Sequence, residues 1–121
     1  MENGGRIPAI FLKKSLGLKD PLREINPYFA PEPLSPHLAF GRAKIKIDPK
    51  KIIEAYEKLN ANHEILLIEG AGGLMVPIAE NYLVCDLIKE LDAELIIVSR
   101  LGLGAINHAL LTIHQARERG L

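Results

Sequence analysis

The chain has one cysteine, no tryptophan, and aromatic residues at only 5% of its 121 positions. A lone thiol, Cys85, forms neither an internal disulfide nor a multi-cysteine zinc site, so a reducing compartment, the cytoplasm, is the expected location. An excess of charge of one sign is also lacking. Fifteen Lys and Arg balance 15 Asp and Glu, which leaves no overall basic surplus for nucleic acid or an anionic membrane surface. No apolar run approaches the ~20 residues of a membrane span, and residues 1–13 lack the basic start and long apolar core of a signal peptide. Neither nucleic acid nor a membrane is an expected partner. The histidines, His37, His63, His108 and His114, include no i, i+4 pair, which argues against a histidine metal site and leaves them as packing or surface residues. No G-x-S-x-G motif points to a serine nucleophile, so no catalytic nucleophile is assigned.

What is present is the balance of an ordinary globular domain, with 48% hydrophobic and 25% charged residues in a chain long enough for one domain, residues 1–121. The zero net charge conceals an asymmetry: residues 1–58 carry 11 basic and 7 acidic side chains, residues 59–121 carry 4 and 8. The densest basic stretch, Arg42, Lys44, Lys46, Lys50 and Lys51, has no interleaved aromatics and reads as a solvated face.

Turn and capping signals place the elements. Residues 1–8, with Gly4, Gly5 and Pro8, read as a loop; Ile10, Phe11, Lys13, Lys14 and Leu16 suit a short helix ending near Gly17. Prolines at 21, 27, 31, 33 and 36 make the next stretch extended or turning. Ser35 before Pro36 starts a short helix running to about Gly41, and Asp48 before Pro49 starts a longer one with Ile52, Ala55, Tyr56 and Leu59 on one face. Residues 65–68 and 95–98 are apolar runs too short for helices and without alternation, the pattern of strands buried on both faces. Val84, Leu87, Ile88 and Leu91 form a helical stripe between them. Ile106, Ala109, Leu110, Ile113 and Ala116 form another, expected to reach Leu121.

Helices alternating with doubly buried strands predict an open parallel α/β sheet, with ligands beyond the carboxyl ends of the strands. A right-handed crossover would put both glycine-rich loops on one edge of that sheet. Glu69 follows the first strand directly and suits a magnesium ligand, since nucleotide-bound Mg²⁺ takes only one or two protein carboxylates. Gly70, Gly72 and Gly73 clear the following turn so that backbone N–H groups can approach an anion. The bland alternative is a glycine turn beside a solvated acid. After Gly102 and Gly104 the last helix begins near Ala105 with its first N–H groups free to meet an anion, and Asn107 adds a donor or serves as a local cap. Cys85, beside Val84, Leu87 and Ile88, reads as a buried inert thiol.

Three segments, NPYFAPEPLSPHLA (26–39), LLIEGAGGLMVPI (66–78) and LGLGAINHALLT (101–112), together resemble dethiobiotin synthetase in order and spacing, from about Phe11 to near the last residue. EGAGG alone would leave open an ATP-dependent amidoligase of the corrin type, which carries a similar strand-acid-glycine segment. A non-catalytic dimerisation module stands as a rival of another class. The resemblance implies a parallel-sheet, P-loop NTPase-like (Rossmann-like three-layer) α/β fold, a homodimer, and the use of ATP, Mg²⁺ and CO₂ to close the ureido ring of dethiobiotin from 7,8-diaminopelargonic acid. It also implies Glu69 as the Mg²⁺ ligand, Glu69, Gly70, Ala71 and Gly72 along the nucleotide phosphates, and Gly104, Ala105, Ile106 and Asn107 binding the substrate carboxylate from the neighbouring subunit.

The departures are equally plain. G-x-x-x-x-G-K-[ST] is absent, the family's lysine on its next strand is missing, and RIPAIF offers no Asp where a further magnesium acid is expected. The family's later strands and adenine-contacting residues have no counterpart before Leu121. The chain is therefore expected to be an internal piece of a synthetase, an incomplete domain that is inactive alone.

Overall fold

Proline placement organises the first half of the chain in the computed structural model, which describes residues 7–121. Helix α1 spans Ile7–Ser15, with Pro8 in its first turn, where a missing N–H costs no intrahelical bond. The helix thus starts earlier than the loop expected through Pro8, whose residues 1–6 lie outside the described residues. Gly17 closes it at φ +64°, and the Leu18 amide bonds back to the Lys13 carbonyl at 3.0 Å. Pro21 then precedes α2, a single turn at Leu22–Ile25, inside a stretch expected to be extended or turning. Proline's fixed φ suits the position before a helix, and the prolines farther along keep α2 short.

Helix α3 (Pro36–Arg42) and helix α4 (Pro49–Asn60) follow the Ser-Pro and Asp-Pro starts. Asp48 caps α4 by accepting the Lys50 amide at 3.1 Å. Tyr28 ties the proline-rich stretch to this cap: its hydroxyl accepts the Asp48 amide at 2.9 Å and donates to the Asp48 carbonyl at 3.3 Å. Its ring meets Phe40 of α3 edge-on, centroids 5.9 Å apart. Tyr28 of the NPYF segment is therefore a structural residue.

A hairpin of β1 (Pro77–Ala79) and β2 (Tyr82–Leu83) comes next, antiparallel, with Asn81 at φ 55° in the turn. Asparagine tolerates that left-handed conformation better than most residues. Helix α5 (Val84–Glu90) follows directly, and α6 spans Ala105–Glu118. Gly120, at φ +73°, ends α6 short of the expected Leu121, whose amide bonds to the Ala116 carbonyl at 3.0 Å. The core lies between these parts: Ile47, Ile78, Val84, Leu87 and Leu91 are buried, with Ile52, Ile53 and Tyr56 of α4 packed on them.

The expected parallel sheet is not formed among the described residues; their one sheet is the β1–β2 pair. Residues 65–68 and 95–98 are not strands and are not buried on both faces. Ile65, Leu67 and Val98 are 80%, 82% and 90% exposed. The apolar runs are genuine, but a strand exists only through hydrogen bonds to a neighbour, and no described segment supplies that ladder.

Because the Tyr28 hydroxyl serves both backbone groups of the residue capping α4, Tyr28→Phe is expected to lower stability by about 1 kcal/mol. Asp48→Ala is expected to cost about 1 kcal/mol by removing the cap. Urea denaturation followed by far-ultraviolet circular dichroism measures both.

Candidate functional site

Glu69 stands at the end of the 65–68 segment, exposed, and its carboxylate makes no hydrogen bond or ion pair among the described residues. The turn after it is narrow. The Gly72 amide bonds to the Gly70 carbonyl at 3.0 Å, and the Val76 amide to the Gly73 carbonyl at 3.0 Å. Gly72 sits at φ +100°, and a Cβ there would lie 2.9 Å from Val76 Cγ2, so both conformation and space demand glycine. At Gly73 a Cβ would meet nothing within 4 Å.

Helix α5 braces this turn from behind. Its first amides have no intrahelical partners, and two of them find the loop instead: Val84 donates to the Val76 carbonyl and Cys85 to the Leu74 carbonyl, both at 3.0 Å. Cys85 is 1% exposed, the buried thiol expected. The hairpin is tied to the same helix. The Tyr82 hydroxyl donates to the Glu90 carboxylate at 2.5 Å, and burial, that hydrogen bond and the charges of Glu90 and Asp86 push the phenol well above its ordinary pKa.

The approach to Glu69 is tethered as well. His63, two residues before the 65–68 segment, meets Asp20 at 3.0 Å, and Lys13 donates to the Asp20 carbonyl. The His63 hydrogen bond is the main influence holding the Asp20 carboxyl below the usual carboxylate value; burial opposes it, while a backbone bond and the charges of His63 and Lys13 reinforce it. Nothing in the sequence pairs residues 43 positions apart. The hairpin had a local signal, the Glu80-Asn81 turn between apolar pairs.

The second expected loop is at the start of α6. Gly104 is its N-cap at φ 86°, and the His108 amide bonds to the Gly104 carbonyl at 3.1 Å. Ala105 is half-buried, whereas Ile106 and Asn107 are exposed, and Asn107 makes no side-chain cap. Among the described residues no hydrogen bond or ion pair links 69–72 to 104–107. The glycine loop instead meets α6 farther along, where Gly73, Leu74, Met75 and Val76 face Leu111, Thr112, His114 and Gln115 across an open groove of about 470 Å³. No group of three or more His, Cys, Asp or Glu side chains able to hold a metal occurs among the described residues. Glu69 offers one carboxylate as a hard oxygen donor beside a turn with glycine at 70, 72 and 73, the small protein share that Mg²⁺ on a nucleotide requires.

Residues 9–121 match the AAA domain family. The chain belongs to that family. Membership implies a P-loop NTPase-like fold, and both glycine loops fall inside the match. The chain is 42% identical over 121 residues to the ATP-dependent dethiobiotin synthetase BioD of Methanococcus vannielii, an alignment covering all of this chain and 57% of that protein. The BioD protein of Methanocaldococcus jannaschii is 42% identical over 125 residues, with 100% and 58% covered. That of Bacillus cereus strain G9842 is 44% identical over 113 residues, with 93% and 47% covered. The chain spans about half the length of the curated relatives it matches.

Two outcomes follow from this geometry. Gly72→Ala is expected to destabilise the protein by about 1–3 kcal/mol through φ strain and the Val76 clash, while Gly73→Ala is close to neutral; thermal melts of the pair measure the contrast. For Asp20, a folded pKa below the unfolded one contributes stability that is present above the unfolded value and is lost as pH falls through the folded value. The urea midpoint of the natural protein is therefore expected to exceed that of Asp20→Asn at pH 6, and the gap to close on acidification below about pH 4.

Proposed function

We propose that this chain is part of an ATP- and Mg²⁺-dependent dethiobiotin synthetase, a cytoplasmic homodimer that closes the ureido ring of dethiobiotin from 7,8-diaminopelargonic acid and CO₂, with ATP converted to ADP and phosphate. The observation that carries the reading is the likeness to the synthetase of Methanococcus vannielii over all 121 residues, within which the exposed Glu69, without a hydrogen bond or ion pair among the described residues, stands at the head of a turn cleared by glycines. In this reading residues 1–121 are one incomplete α/β domain, and 65–68 and 95–98 pair as parallel strands only in the longer protein. The 121 residues by themselves turn nothing over, since they contain no G-x-x-x-x-G-K-[ST] to surround the phosphates.

Glu69 would hold Mg²⁺, and Glu69, Gly70, Ala71 and Gly72 would line the nucleotide phosphates. Bound there, Mg²⁺ would neutralise charge on the phosphate oxygens. The residues of this chain supply position: the α5 brace fixes the turn, and the glycines let backbone come close to an anion. Gly104, Ala105, Ile106 and Asn107 would take the substrate carboxylate of the neighbouring subunit at the N-terminus of α6, where the Ala105 amide is already bonded to the Gly102 carbonyl and the next amides, Ile106 and Asn107, together with the helix dipole favour an anion.

The test is ring closure by the full-length protein containing these residues. Glu69→Gln is expected to lower kcat/KM by about 10²–10³-fold and to raise the Mg²⁺ requirement. Mixing Glu69→Gln subunits with Asn107→Ala subunits is expected to restore one intact site per heterodimer. Turnover of Glu69→Gln equal to the natural enzyme across a Mg²⁺ titration would reject the ligand assignment. Mixed dimers no more active than either parent would place both loops in one subunit.

A further inference from the structure

We infer that Asp86 is a positioning residue for the 70–76 turn: its carboxylate locks the first turn of α5 to the end of α6, so that α5 can hold the turn by its backbone. Each carboxylate oxygen has its own task. Oδ2 accepts the Leu83 amide at 2.8 Å, which fixes the start of α5, and Oδ1 accepts Arg119 Nη1 at 3.3 Å, from the residue that ends α6. Lys89 Nζ reaches the Arg119 carbonyl at 3.4 Å and completes the junction.

The junction matters because α5 is only seven residues long, too short to hold itself together by propensity. It stays in place through its tethers and through buried Val84, Cys85 and Leu87. The turn in front of it has two internal hydrogen bonds, and its Leu74 and Val76 carbonyls are satisfied by Cys85 and Val84 of α5. A half-exposed ion pair such as Asp86–Arg119 contributes little to global stability. Its effect is directional: it sets where the donors of α5 point, and therefore where the backbone of Gly70 to Val76 lies.

The inference draws its functional consequence from the nucleotide reading above, and the experiment keeps the two apart. Backbone amide exchange is followed in the full-length protein for the natural sequence, Asp86→Ala, Asp86→Asn and Arg119→Gln, with the amides of α4 as internal reference. Asp86→Ala, which removes the Leu83 and Arg119 bonds together with the Cys85 Sγ bond to Oδ1 at 3.9 Å, is expected to speed exchange at Gly72, Val76, Val84 and Cys85 by about tenfold more than in α4. Asp86→Asn and Arg119→Gln, which keep an acceptor for Leu83, are expected to do so by a smaller factor, and they carry the test if the alanine variant does not fold. Acceleration of the turn and α4 by the same factor in every folded variant, or no acceleration in any, overturns the inference. Calorimetry with MgATP on the same proteins supplies the second arm, with Kd expected to rise severalfold in Asp86→Ala. A natural protein that takes up no MgATP while the turn-specific exchange holds removes the nucleotide reading and upholds the positioning role. Unaltered MgATP binding with uniform exchange does the reverse.

Discussion

Two backbone hydrogen bonds, from the amides of Val84 and Cys85 to the carbonyls of Val76 and Leu74, decide where the glycine turn lies. Each side of the exchange solves a problem of the other. A helix begins with amides that have no carbonyl one turn back, and an irregular loop ends with carbonyls that have no ladder to join. Bringing them together leaves neither unpaired near the core. The burial of Cys85 and Val84 then fixes the junction in depth, since Val84 belongs to the apolar cluster with Ile78, Leu87 and Leu91 and cannot leave without exposing it. Gly72 is required by the same arrangement, because Val76 is drawn in close behind it.

What could be read from the residues and what could not divides along the range of the interactions. Helices α3 and α4 are announced by Ser35-Pro36 and Asp48-Pro49, and these starts are correct because capping is decided within three or four residues. The stripe of Val84, Leu87, Ile88 and Leu91 gives α5 for a similar reason. Helix α2 was hidden by the surrounding prolines, although one of them stands where proline favours a helix start. The 65–68 and 95–98 segments show the opposite limit: their composition reports a wish for burial, but pairing depends on a partner that no local pattern specifies. At the candidate site, the place of Glu69 before a glycine turn was legible. The tether of His63 to Asp20 and the junction at Asp86 were not, because both join residues more than thirty positions apart.

Burial along α6 is uneven. Its C-terminal part carries buried Ala116, the Arg119 bond to Asp86 and a face turned to the glycine loop, whereas Ile106, Leu110 and Leu111 are exposed. Hydrophobic stabilisation is roughly proportional to area removed from water, so most of what holds this helix acts on its last two turns.

The helix is in effect a cantilever. Its 14 residues span about 21 Å, clamped near Arg119 and unsupported near Gly104. A small rocking at the clamp would be multiplied by the length of the beam, so the end at Gly104 to Asn107 would sweep the widest arc of the element that carries it. Anything that seizes that tip restrains the whole beam, and the restraint is felt at the clamp, on the side where the glycine turn is held.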